Sequence, residues 1–199
     1  MSAKIMELNC PGCGASVAVS DKNCKFCKAP VVISTFDSVQ HLTTPALNKY
    51  ASTYQKALQD SPEDRDLNMS LAMVYLKLKL YDKAILAFEK AVENNFDNSE
   101  VFFYLAIALL QGKKAFLSTR AVIDKIEESL NASIMIEPKG IYYYLWAYIK
   151  YDYFERKSFV TAPNYTDMLN SGREATPTMS ETDKAQLYQL LGVEKPDVL

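Results

Sequence analysis

Residues 65–98 read RDLNMSLAMVYLKLKLYDKAILAFEKAVENNFDN. Leu71, Ala72 and Tyr75 mark the first half of this stretch, and Ala84, Phe88 and Ala91 the second. Spacings of three and four are helical. The second half aligns with YASTYQKALQDSP before it and IEESLNASIMIEP after it. All three carry apolar or small residues at the same offsets: Tyr50, Tyr54, Ala57; Ala84, Phe88, Ala91; Ile126, Leu130, Ser133. Each ends at a stop position, Pro62, Phe96 or Pro138, and 34 residues separate Pro62 from Phe96. The first half recurs as VFFYLAIALLQ and YYYLWAYIKY, which repeat the pair Leu71-Ala72 as Leu105-Ala106 and Leu145-Trp146. The chain therefore holds an internal repeat of paired helices.

The repeat resembles the tetratricopeptide family, whose unit is a 34-residue pair of antiparallel helices. Residues 65–98 match through Leu71, Ala72, Tyr75, Ala84, Phe88 and Ala91. Residues 99–140 match with an eight-residue excess around QGKKAFLSTRAVIDK. Residues 45–62 resemble a lone second helix and 140–154 a lone first helix. The resemblance implies a mostly α fold, a short antiparallel solenoid of such pairs. It also implies that partners bind on first-helix positions, here Met69, Met73, Leu76, Phe103, Ile107 and Tyr143. That lining is apolar, so it calls for a partner protein or peptide, or for cover by the chain itself. Family members that clamp chaperone tail carboxylates place Lys and Asn where Met69 and Met73 stand, so that activity is not expected.

Upstream, CPGCGASVAVSDKNCKFC holds all four cysteines, Cys10, Cys13, Cys24 and Cys27. Each C-x2-C pair wraps two thiolates round one side of an ion, and two pairs complete the tetrahedral shell of structural zinc. Gly12 and Gly14 flank the first pair, and Lys25 and Lys28 the second. A rubredoxin-type iron is the second choice and disulfides the third. MSAKIMELNC has no apolar core of a secretory signal, which predicts a cytoplasmic chain with reduced thiols. Four thiolates close the shell, so one structural zinc is expected rather than a catalytic one. A segment of about 30 residues cannot fold alone on buried area, and metal supplies the deficit. The alternation in SVAVS and VVIS predicts short strands beside the knuckles. The pattern resembles a small β zinc ribbon.

The expected organisation is a ribbon over 1–34, a linker over 35–44, helical repeats over 45–158, and a C-terminal capping segment over 159–199. Thr43 or Thr44 with Pro45 reads as a helix start. GIYYYLWAYIKYDYFERKSF carries aromatic residues all round a helix, which predicts burial on several sides. In the tail, NYTDMLNSG reads as a helix ending at Gly172. SETDKAQLYQLLGV reads as one capped by Ser180 or Thr182 and stopped by Gly192.

Nucleotide-binding loops and nucleophile elbows are absent, and there is one histidine, His41. A non-catalytic adaptor is expected, with the repeats binding one partner and the ribbon supplying a second contact. The alternative is an RNA-, ribosome- or transcription-associated factor that binds nucleic acid through the ribbon, by way of Lys22, Lys25, Phe26 and Lys28. The net charge of −2 and pI near 5.5 lack the basic footprint of a duplex binder. No apolar run reaches the length of a membrane span. The whole resembles small bacterial proteins that join a zinc ribbon to repeats.

Overall fold

The computed structural model describes residues 7–93, 97–176 and 179–199. Phe96, one expected stop position, lies outside them. Two compact units emerge, Met1–Asn95 and Phe96–Leu199. Among the described residues, no helix is long and apolar enough to cross a membrane.

In the first unit, strands β1 (Glu7–Asn9) and β2 (Ser16–Ala18) pair antiparallel, with Leu8 opposite Val17. A further bridge joins Asn23 to Pro30. Leu8, Val17, Val31 and Ile33 are buried. Three helices follow in the order the repeat predicts: α2 (Thr44–Asp60), α3 (Arg65–Lys77) and α4 (Tyr81–Val92). Pro45 sits in the first turn of α2, whose buried stripe Leu47, Tyr50, Ala51, Tyr54 keeps the helical spacing. Asp64 caps α3 by accepting from the Leu67 amide at 2.9 Å. Every residue of α3 from Leu67 to Leu76 is buried. Such a helix needs neighbours on all sides, and α2, α4 and a short helix α1 (Asp37–Gln40) all pack on it.

That short helix occupies the stretch expected as linker, and its Val39 is fully buried. The arm between ribbon and α1 is bonded to the helices. Tyr50 donates to the Pro30 carbonyl at 3.2 Å and Tyr54 to the Val31 carbonyl at 2.9 Å. The Ile33 amide donates to Ser70 Oγ at 2.8 Å. The Val31 amide stays paired with the Lys22 carbonyl at 3.0 Å beside the Asn23–Pro30 bridge, and the groups of residues 30–33 that face the helices are satisfied by side chains.

The second unit holds two helix pairs. α5 (Ser99–Leu109) packs on α6 (Arg120–Ile136), and α7 (Gly140–Ile149) on α8 (Tyr165–Ala175). The expected lone first helix thus has a partner. Gly172 is no stop: it lies inside α8 facing Gly140, where an added Cβ would sit 3.2 Å from the Gly140 carbonyl oxygen. Two glycines let these backbones approach closely. α9 (Glu181–Leu191) starts at Ser180 with reciprocal capping by Asp183 and ends at Gly192 with φ 69°. Tyr188 of α9 meets Tyr148 edge-on at 5.7 Å.

The aromatic stretch is core, with Tyr142, Tyr144, Tyr148, Tyr153 and Phe154 buried. Past Ile149 the backbone winds through one π turn, Lys150–Phe154. This turn places two buried charges. Lys150 Nζ lies 2.7 Å from Glu127, and Asp152 accepts from the Phe116 amide at 2.8 Å and pairs with Arg156. The eight-residue excess therefore goes into a pinned turn that includes a 3-10 segment, Ala115–Leu117, and into a second helix of 17 residues against the 12 of α4.

Candidate metal centre

The two knuckles are built alike. The Cys10 amide donates to the Ala15 carbonyl at 2.7 Å, and the Gly14 amide returns to the Cys10 carbonyl at 2.8 Å. The Cys24 amide donates to Ala29 at 2.8 Å, and Lys28 to the Cys24 carbonyl at 2.9 Å. Both turns close through a left-handed residue, Gly14 at φ 83° and Lys28 at φ 62°. Glycine accepts that conformation freely, and lysine does so at a cost. Gly12 is tighter: a Cβ there would lie 3.0 Å from Cys27 Sγ.

The turns bring the four cysteine sulfurs within 4.8 Å of one another. Cys10 and Cys27 are 3.6 Å apart, and Cys13 and Cys24 3.8 Å. A disulfide needs about 2.0 Å. A tetrahedron of thiolates on bonds of about 2.3 Å has edges of about 3.8 Å. The cluster therefore fits a metal site. Cys10 and Cys24 are buried, while Cys13 and Cys27 face outward. The Cys24 thiol is lowered to about 6, first by the Cys27 backbone amide, with desolvation opposing. Lys49 Nζ donates to the Gly12 carbonyl at 2.9 Å, tying α2 to the first knuckle. Beyond the second, Phe26 is 64% exposed with the Lys25 ammonium 5.3 Å from its ring centre.

The expected partner positions are placed differently. Met69, Met73, Leu76, Phe103 and Ile107 are buried, and Tyr143 is half-buried. A partner reaches the first five only if what covers them moves. Ser70, Met73 and Lys77 follow one another on one face of α3. Ile33 bonds Ser70, and Phe36 lies with its ring centre 5.3 Å from Lys77 Nζ. The arm thus crosses Met73, and the cover there is the chain's own N-terminal segment.

Open apolar surface lies on the other side of α3. Leu58, Pro62, Leu71, Tyr75, Leu86 and Ala87 line a cleft of about 370 Å³ between α2 and α4, with Lys83 and Lys90 at its edge. Leu86 is 63% exposed. Sequence reasoning missed this cleft, though a signal was there. Ala84, Phe88 and Ala91 share one face of α4, and Leu86 projects about 160° away from it.

No curated protein matches the chain. Among solved structures, that of MamA AMB-1 is 19% identical with a TM-score of 0.51, covering 71% of this chain and 70% of that one. That of MamA MSR-1 is 20% identical with a TM-score of 0.44, covering 73% and 70%. The first likeness is one of fold. Residues 51–113 match the tetratricopeptide repeat family model, and the six buried signature positions from Leu71 to Ala91 fall inside that match. The chain is therefore a mostly helical, tetratricopeptide-like protein with a small N-terminal sheet, the family match itself lying in residues 51–113.

Proposed function

We propose that the chain is a non-catalytic cytoplasmic scaffold, with one zinc ion on Cys10, Cys13, Cys24 and Cys27. The zinc fixes the two knuckles and so the arm that closes the Met73 face of α3. The partner surface is then the cleft between α2 and α4. Its occupant is an amphipathic protein segment with a large apolar anchor and acidic flanks. The observation that carries this is the open apolar cleft with Leu86, 63% exposed, as part of its lining: a contiguous exposed apolar surface marks an interaction site. Lys83 and Lys90 supply the charge complement.

Affinity purification from native lysate, with and without nuclease, tests the reading on wild type and Leu86→Asp. The expected outcome is a stoichiometric, nuclease-resistant partner that survives high salt and is lost from the variant. Components that vanish with nuclease and fall steeply with salt sink it. They would favour the second reading, nucleic-acid association through the ribbon, which rests on Phe26 exposed beside Lys25 and Lys28.

A further inference from the structure

The second unit carries two neighbouring apolar tips. Phe116 and Leu117 form one, in the 3-10 turn, and Phe159 and Val160 the other, just past the π turn. They belong to one surface. The Lys157 ammonium lies 4.9 Å from the Phe116 ring centre and 3.8 Å from that of Tyr153. The Tyr153 and Phe159 rings are 6.3 Å apart, and the Arg156 guanidinium lies 4.8 Å from the Phe116 ring. Leu117 is 70% exposed and Val160 fully so. The tips rest on a firm base, because the Phe116 amide bonds buried Asp152 and Tyr153 is itself buried.

Cations surround the tips. Lys113, Lys114 and Arg120 flank the first and Arg156 and Lys157 the second, with Lys195 close by, against the carboxylates Asp124, Asp152, Glu155, Glu194 and Asp197; Arg120 is paired with Asp124 and Arg156 with Asp152. The local excess is one positive charge, on a chain whose net charge is −2. We propose that this surface docks on an anionic lipid membrane. Leu117 and Val160 enter the headgroup–acyl boundary, with Phe116 and Phe159 beside them. The ammonium groups of Lys113, Lys114 and Lys157 meet lipid phosphates. Projecting side chains favour a bilayer over an acidic protein, because a fluid apolar layer accepts tips of any shape while a protein must supply a recess for each. Long cationic side chains keep their charge at headgroup level while their stems bury.

The test is co-sedimentation of the full zinc-loaded chain with phosphatidylcholine vesicles, with and without phosphatidylglycerol, at low and high salt. The expected result is recruitment by the anionic vesicles only, weakened by salt. It should fall at least about tenfold in the double variant Leu117→Asp, Val160→Asp. Circular dichroism checks that the variant folds. Should it not, Leu117→Ser, at an exposed position, carries the same comparison. The proposal is overturned if anionic vesicles leave the chain in solution, or if neutral vesicles recruit it equally. It is also overturned if the folded variant binds like wild type, or if the chain ignores vesicles and binds a soluble acidic peptide.

Discussion

Ser70→Ala should destabilise the first unit, and the sign of the effect is what matters. Ser70 is fully buried on α3. Its hydroxyl donates to the Asp66 carbonyl at 2.7 Å and accepts from the Ile33 amide at 2.8 Å. Helix propensity alone says that alanine should stabilise, by about 0.5 kcal/mol. The arm says otherwise. Without the hydroxyl the Ile33 amide is left buried and unpaired, which costs about 1–3 kcal/mol. The net is a loss of about 1–2 kcal/mol. At roughly 4–8 °C per kcal/mol for a unit of this size, the melting temperature should fall on the order of 10 °C. Ser133→Ala is the control. Ser133 is also fully buried, on α6, and its hydroxyl donates to the Ser129 carbonyl at 3.1 Å. That change should be neutral or slightly stabilising. Thermal melts by circular dichroism, with hydrogen exchange to assign the loss to residues 30–77, decide the matter. Equal, non-destabilising effects of the two changes would refute the docked arm and free the ribbon to swing.

Removal of metal by a strong chelator should release one zinc per chain and strip exchange protection from residues 8–33; a chain that binds no zinc, or keeps that protection without it, refutes the metal assignment. Gly140→Ala would place a Cβ 2.8 Å from the Gly172 carbonyl oxygen and 2.8 Å from Thr176 Cβ, so a loss of about 1–3 kcal/mol is expected in urea unfolding. Lys28→Gly should stabilise the ribbon by about 1 kcal/mol by relieving its left-handed φ of 62°, read as slower zinc loss to a chelator. Burial raises the Tyr50 hydroxyl to about 12, with the nearby cysteine thiolates adding to it. A raised value means stability that is complete below pH 10 and lost as pH climbs towards 12. Arm protection should fade across that window, and Tyr50→Phe should weaken the dependence, with Tyr54, also raised by burial and bonded to the arm, carrying the rest.

The repeat was legible because its signature positions are core positions: Leu71, Ala72, Ala84 and Phe88 have no freedom to vary in type where two helices meet. The knuckles were legible because the C-x2-C spacing that brings four sulfurs together is local and short. The arm was not. TFDSVQHLTTP is polar and short, and it is held by buried Val39 and by Phe36 against Lys77, while the residues just before it, 30–33, are held by three hydroxyls on other elements, Tyr50, Tyr54 and Ser70, which no local pattern links to them. The α7–α8 pairing was hidden by Gly172, which reads as a helix stop by propensity and acts as a contact because Gly140 lies against it.

The two faces of α3 explain why the proposed partner surface differs from the expected one. Leu71 and Tyr75 lie four residues apart on one side, and Ser70, Met73 and Lys77 on the other. Family resemblance directs attention to the Met73 side, where an open repeat would present an apolar lining. Here the arm lies across that side, and its fully buried Val31, Ile33 and Val39 already fill the role of a bound apolar peptide. A covalently attached segment stands at high effective concentration, so a free competitor meets a large handicap there. Among the described residues of the first unit the Leu71 side has no such occupant, and Leu86 stands exposed at its edge. If the ribbon were an independent module, losing its zinc would leave the Met73 side covered. Because the arm begins at the second knuckle, zinc loss should instead uncover Met73 and add a second apolar surface. Binding of an apolar dye should therefore rise on chelation in wild type and stay flat in Cys24→Ser, which starts uncovered.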